Sequence, residues 1–484
     1  MVVAHAATGR SLPVNRYFDA LHDRLRGDGA RPRPVERIEL SGRCVGFRTP
    51  EGEYGLDNGY NLLELSTRPV RRSEGGLKAL AGMVDPALDH VYAALRADQA
   101  CVLNASQHPD CPRDSDWYRR VCLPRPIYRE LVGHRGWRHW EGIDAKAQNG
   151  ANVQVPVHDA VRALNVMIGL AAAHVALFAN SPLESGRITG LRETRLTVWP
   201  RVFDGSRFAG DAMLAGCPPR PFIDLGDYFR WMFRPGTVSR SLPVARDQDY
   251  KAARTVLLDD DPSLSAFLAS RRWSGRCTDT GERTQLVPES VHFEHSQIAQ
   301  FMDARLRYRW RTLPPLPTLM AAWRRPGGLE RLFEQCGADV YIEGRCPGAG
   351  FADAALVEEA GDEVAQSTVM SPIALQWGLL QRLDEAEALM ARGTWGQLRD
   401  LRERAMRHGL ADPDVAQLCE AVLKVAAAGL TPEERPMLGY ARHVLETRRC
   451  AADRMLQSWQ QFHEEDADAR LAWIVQRHRA TAAR

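Results

Sequence analysis

The chain has 484 residues, with 63 Lys and Arg against 61 Asp and Glu, a formal net charge of +2 and 44% hydrophobic residues. So even a balance gives no general electrostatic reason to bind nucleic acid or an anionic membrane, and partners must be read from local sites. The length suffices for a large buried core, and the ten cysteines form no C-x-x-C pair, which argues against a zinc ribbon or thioredoxin-like motif and points to reduced thiols in a cytoplasmic protein.

In chain order, the start MVVAHAATGRSLPVNRYFD lacks a basic stretch followed by a sufficient apolar run and predicts no secretory signal. Val14 to Arg26 reads as a short helix ending at Gly27, followed by a Pro/Arg-rich linker, ARPRPVER. From Glu36 to about Arg309 strands mix with helices. The most apolar window, Ala163 to Ala179, is 17 residues long and holds Asn165 and His174. That is the short limit for a bilayer span, so it predicts a buried helix, with His174 as a core histidine on a backbone partner. Cys346 to Ser367 reads as a loop or lid. From about Pro372 the pattern is nearly all helix, with Gly393, Gly409 and Gly429 where C-terminal caps are expected. Thr431-Pro432-Glu433-Glu434 supplies an N-cap, a first-turn proline and a glutamate three residues on. The expected organisation is residues 1–35 as N-terminal helix and linker, 36–371 as a catalytic sheet domain, and 372–484 as a helical region packed on it. Its last stretch, WQQFHEEDADARLAWIVQRHR, reads as an amphipathic helix against the body or a second subunit.

Four segments alternate as strands do. In YNLLELSTR, Tyr60, Leu62, Glu64 and Ser66 share a face. In ANVQVPVHD, Asn152, Gln154 and Pro156 oppose Val153, Val155 and Val157. In TRLTVW, Arg195, Thr197 and Trp199 oppose Leu196 and Val198. In FMDARLRYRWR, Asp303, Arg305, Arg307, Arg309 and Arg311 oppose Met302, Ala304, Leu306, Tyr308 and Trp310. Each polar face alone is explained by solvent, since sheets wet on one side are common. If the strands share a sheet, however, carboxylates, arginines and an amide make a mixed-charge floor suited to an anionic, metal-bound ligand. His292, Glu294 and His295, read as a strand, put the two histidines on opposite faces with no third ligand, which weighs against zinc.

These stretches together resemble a known family. LNVMIGLAAAHVALFANSPLESGRITG with RETRLTVW, the upstream NVQVPV, the later MDARLRY and the helical tail are similar to glutamate–cysteine ligases of the plant and proteobacterial type and to the related ligase of the ergothioneine pathway. The likeness runs from about residue 35 to about residue 457. It implies an α+β fold: a curved, mostly antiparallel sheet funnel of the glutamine synthetase-like type, flanked by helices. It also implies an ATP- and Mg²⁺-dependent ligase that joins the γ-carboxyl of glutamate, or a similar amino acid, to an amine through an acyl phosphate. No nucleic acid or membrane partner is expected, and oligomeric state is open.

By position, the resemblance assigns Glu39, Asp57, Glu64, Gln154 and Asp303 to metals, with Gln154 also near the nucleotide. It assigns Arg195 and Trp199 to the substrate pocket and Arg305 to the phosphoryl group in flight, while Arg307 extends the phosphate-binding face. A shared ion requires Asp57 and Glu64 to lie on one face of a sheet. The chain departs from the family in two places. Arg37 stands where the first acid of a Glu-x-Glu motif belongs, with Glu36 one residue off, and Gln297 stands where relatives carry an arginine. The first departure motivates a rival reading, a non-catalytic relative that binds an amino acid or nucleotide; both allow a specialised ligase with a different acid or amine.

Overall fold

The computed structural model describes residues 1–27, 34–233, 241–246, 253–298, 301–462 and 466–481. An N-terminal strand, β1 (Val2–His5), precedes the expected helix, which spans Tyr17–Arg26. Next come β2 (Glu36–Leu40), β3 (Arg43–Thr49), β4 (Gly52–Leu56) and β5 (Leu63–Thr67), an antiparallel meander in sequence order. β1 pairs with β6 (Ala100–Leu103), a partner nearly a hundred residues away, and a four-residue apolar run alone does not announce so remote a pairing.

Helix Tyr17–Arg26 covers one face of the meander, setting Phe18 and His22 against Phe47 of β3. Glu64 and Ser66 of β5 lie exposed on the other face, while Tyr60 and Leu62, expected to share it, are buried before the strand begins. A second sheet carries the alternation as read: β7 (Asn152–Val155), β14 (Ala304–Trp310) and β15 (Ala338–Gly344) pair antiparallel in the order β14–β15–β7, and between β7 and β14 along the chain come the separate hairpin of β8 (Leu183–Glu184) and β9 (Arg187–Ile188) and a four-stranded sheet of β10 (Ser241–Pro243), β11 (Thr255–Leu258), β12 (Trp273–Cys277) and β13 (Arg283–Leu286). Val153, Val155, Leu306, Tyr308, Trp310, Val340 and Ile342 fill a core with Phe229, Phe293 and Phe333. The fold is mixed helix and antiparallel sheet, as expected. Among the described residues, though, the strands form five separate sheets of two to four strands and not one continuous curved sheet.

Several local expectations change. RETRLTVW is not a strand: Thr194–Thr197 is a single tight turn of helix and Val198–Asp204 continues as α-helix. Its alternation does not decide the outcome: among the described residues one parallel bridge, Ser181 to Glu193, is its nearest approach to sheet. ESVHFEHSQ is also helical over Ser290–His295, with Glu289 and His292 capping each other's backbone. The apolar window is buried as expected but splits into Ala160–Gly169 and Ala171–Phe178, bent by 50°, and among the described residues no single helix is long and apolar enough to cross a membrane. His174 is fully buried in the second piece, as expected, but neither ring nitrogen makes the expected hydrogen bond, and desolvation pushes its pKa down to about 4. The lid reading of Cys346–Ser367 fails beyond Asp353, which caps helix Ala354–Gln366.

Asp353 also accepts from Asn104 at 2.8 Å and pairs with Nδ1 of His478 at 2.9 Å, while Nε2 of His478 meets Ser458 at 3.0 Å. The sequence Ser–His–Asp has the outline of a nucleophile relay. All three residues are buried, and the Ser458 hydroxyl donates to the Arg454 carbonyl, so here the relay ties the last helix, Ala467–His478, to the body. The part of the C-terminal amphipathic stretch at 463–465 lies outside the described residues.

From Ser371 on the described residues are mostly helical, though Thr431–Glu434 forms a turn rather than the start of a helix, and two glycines set the closest approach of two helices. A Cβ on Gly378 would lie 2.2 Å from the Ala426 carbonyl oxygen and one on Gly429 2.1 Å from that of Gly378, so helices Ser371–Gln381 and Pro413–Gly429 cross backbone to backbone. Gly378→Ala is expected to destabilise by about 1–3 kcal/mol or more. Gly82→Ala, in an exposed helix position with nothing near its Cβ, is expected to stabilise by up to about 1 kcal/mol. Thermal melts of both variants check this, and equal shifts would refute the close crossing.

Candidate functional site

The polar face of the β14–β15–β7 sheet is built by register. Arg305 lies opposite Glu343 and then Asn152, Arg307 opposite Tyr341 and then Gln154, and Arg309 opposite Asp339. Because cross-strand partners share a face, one surface gathers three arginines with the amides of Asn152 and Gln154. The Arg305 Nε donates to Oε2 of Glu343 at 2.7 Å and Arg345 Nη1 donates to Oε1 at 2.7 Å, with all three side chains 11–15% exposed. Burial alone would raise the Glu343 carboxyl, but Arg305, Arg345 and Arg307 outweigh it and hold it well below the usual range. Burial pushes Arg345 down to about 10, and Arg305 adds to the shift. One carboxylate thus accepts from two guanidinium groups, and Arg307 acts on it from the same face.

The turn after the apolar helices organises the neighbouring wall. Asn180 takes the Ser106 N–H at 2.9 Å on its Oδ1 and donates from Nδ2 to the Ala349 carbonyl at 2.8 Å, while its own N–H goes to Glu193. Arg195, 5% exposed, donates from Nε to Glu193 at 2.8 Å, from Nη1 to Gln148 at 3.3 Å, and from Nη2 to the carbonyl of Cys346 at 2.7 Å, with longer contacts to those of Arg345 and Pro347. Its guanidinium is therefore the hub of the turn that carries Arg345. Trp199 stacks on Phe301 with centroids 3.9 Å apart, and the Lys146 ammonium lies 5.1 Å above the Trp199 ring and 3.8 Å from Oδ2 of Asp57. Burial pushes Lys146 down to about 8, with Asp57 opposing and Arg345 and Arg195 reinforcing.

The residues assigned to metal are dispersed among these partners. Asp57 and Glu64 do share a face, since Asp57 pairs with Leu62 in the hairpin continuing from β4, and Leu62 and Glu64 are two residues apart. Glu39 is ion-paired with Arg37 at 2.9 Å, and Arg37 sits opposite Phe47 on the helix-covered face, away from Glu64. Gln154 is exposed and reaches Asp339 at 3.4 Å. Asp303 is clasped by Arg402, Nε to Oδ2 at 2.5 Å and Nη2 to Oδ1 at 2.8 Å. Burial would raise that carboxyl; Arg402 more than reverses the effect. Among the described residues no three His, Cys, Asp or Glu side chains come together as a metal site, the His292–His295 helix included. Gln297, at the missing arginine's place, caps the free edge of β14: it donates to the Tyr308 carbonyl at 2.9 Å and accepts the Tyr308 N–H at 2.7 Å.

Residues 27–266 match the family described as glutamate-cysteine ligase family 2 (GCS2), spanning the meander, Lys146, Gln154 and the Arg195 turn. That segment, just under half of the chain, belongs to glutamate-cysteine ligase family 2. A protein of Frankia alni named "Putative glutamate--cysteine ligase 2-2" is 29% identical over 141 residues, covering 28% of this chain and 35% of that protein. The chain thus matches about a third of that relative's length. The family match ends before β14, so Asp303 and Arg305 stand on the geometry of the sheet.

Sequence reasoning overlooked Lys146, Glu343, Arg345 and Arg402. The alternation of Asp339, Tyr341, Glu343 and Arg345 against Val340 and Ile342 was a legible signal for β15. Lys146 is one of four lysines among 63 basic residues, a hint that a compact ammonium is wanted there. Arg402 lies on an exposed-looking helical stretch, and nothing local marks it.

Glu343→Gln removes the carboxylate that Arg305 and Arg345 share. Because the folded-state pKa is depressed, the ionised form contributes stability that is full above about 4.3 and is lost as pH falls toward the folded value. The gap in stability between the native chain and Glu343→Gln, read from denaturant titrations at stepped pH, is expected to be widest near neutrality and to close in acid. A gap that stays constant with pH would sink the assignment.

Proposed function

We propose that this chain is an ATP-dependent carboxylate–amine ligase that joins the γ-carboxyl of glutamate, or a similar amino acid, to cysteine or another amine. The observation that supports this reading is the row of Arg305 and Arg307 on the polar face of the β14–β15–β7 sheet, beside the Arg305–Glu343–Arg345 cluster, in a chain whose first half matches this family. Guanidinium groups aligned and partly desolvated in this way suit a polyphosphate chain.

In this reading the phosphates lie along the Arg305–Arg307 row, with Gln154 beside them. A γ-carboxylate oxygen attacks the terminal phosphorus, ADP leaves, and the amine nitrogen then displaces phosphate from the acyl phosphate and loses its proton. No side chain serves as a covalent nucleophile. Arg305 steadies the charge on the transferring phosphoryl group, and Glu343 keeps that guanidinium turned. Arg345 faces the amino acid, beside the Trp199–Phe301 stack. Arg195 acts as a positioning residue through the Arg345–Pro347 turn. Magnesium, supplied with the nucleotide, would neutralise phosphate charge, and none of these residue roles depends on it.

Incubation with ATP, Mg²⁺, glutamate and an amine panel is expected to release ADP only when acid and amine are both present, with a product mass equal to their sum less water. No ADP release with any amine would overturn the reading in favour of a binding protein. Arg305→Lys keeps the charge but loses the planar fork, so kcat is expected to fall by about 100-fold while KM for glutamate changes little. An unchanged kcat with a large rise in KM would move Arg305 to ground-state binding.

A further inference from the structure

The acids on the open face of β4 and β5 meet a cation that belongs to the protein. Lys146 is held in place by its backbone: it bridges to Gln107, and the next residue, Ala147, donates to the Ser106 carbonyl at 2.8 Å. Its side chain, 12% exposed, crosses the face of the Trp199 ring and brings the ammonium to 3.8 Å from Asp57. Glu64 shares the face of Asp57 and acts on the same ammonium. The other acids that the family resemblance gives to metal are answered in the same way, Glu39 by Arg37 and Asp303 by the two-point clasp of Arg402. Three side-chain cations therefore stand against these acids, the Met1 amine, which donates to the Leu63 carbonyl, adds a further positive group near Asp57 and Glu64, and no cluster of three acidic or metal-binding side chains exists among the described residues.

We propose that Lys146 stands in for a divalent cation on the Asp57–Glu64 face, so that the nucleotide-free protein has no tight metal site there and metal arrives only with the nucleotide. The second clause rests on the ligase reading; the first does not. A lysine ammonium is a compact point charge with donors on three sides, the nearest that a side chain comes to a small cation. Magnesium demands near-octahedral oxygens at about 2.0–2.1 Å, and a doubly charged ion so close to Asp57 would sit against the ammonium. An arginine could not play this part, since its planar fork spreads the charge and needs a matching planar partner.

Manganese, used alone and without nucleotide, reads the site directly through the loss of its free-ion electron paramagnetic resonance signal on titration with the full chain. The native protein is expected to bind Mn²⁺ weakly, Lys146→Met to gain one site at least about tenfold tighter, and Lys146→Met with Glu64→Gln to lose it again. Lys146→Gln, which keeps a polar end against the Trp199 ring, is expected to behave as Lys146→Met does. Tight Mn²⁺ binding by the native chain that Glu64→Gln abolishes would overturn the proposal, and that measurement needs no lysine variant to fold. So would lysine variants that fold and bind no better than the native chain. The titration involves no turnover, so it reads the metal site whether or not the chain has ligase activity.

Discussion

The sharing of one carboxylate by two arginines fixes everything else around the open face of the central sheet. Glu343 on β15 accepts from Arg305 on β14 and from Arg345 just past the end of its own strand, and the three are mostly withdrawn from water. Such a triad is a weak source of stability, because desolvating three charges costs about as much as their attraction returns. Its consequence is geometric: two guanidinium planes are held in place with one negative charge between them. Arg307 lies on the same face, two residues along β14.

That arrangement depends on supports set well apart in the chain. The outer edge of β14 is closed by side chains rather than by another strand, Gln297 on Tyr308 and Glu294 on the Trp310 N–H at 3.0 Å. The turn bearing Arg345 hangs from Arg195, and Arg195 is in turn fixed by Glu193, whose carboxylate also takes the Ser106 hydroxyl at 2.6 Å. The start of β14 is tied to the helical region by Arg402 on Asp303. The apolar side of the sheet contributes burial and the polar side contributes charge, and the two are kept apart by nothing more than the pleat of the strands.

The same economy accounts for how the family's pattern is altered here. Where an acid is absent, at Arg37, the resulting cation pairs with the acid that remains, and where an arginine is absent, at Gln297, an amide closes a strand edge. Each departure is locally satisfied, Arg37 in an exposed ion pair and Gln297 as a buried amide requires. The altered positions are therefore part of a consistent structure, in which charge has been redistributed between side chains.

How much of this was legible follows the range of the forces involved. The alternation in NVQVPV and MDARLRYRW placed Gln154, Arg305 and Arg307 on one face, because period-two patterning is local and burial on one side enforces it. The helical C-terminal region and the family likeness in the meander and the Asn-Ser-Pro turn were also readable in the chain itself. The tertiary structure alone decided that RETRLTVW is helical, that Arg195 faces inward to three carbonyls, and that Lys146 and Arg402 stand against Asp57 and Asp303. Ion pairs between residues about a hundred positions apart leave no periodic trace, since an ammonium or guanidinium is neutral to the local backbone and finds its partner only when the packed core has set the distance.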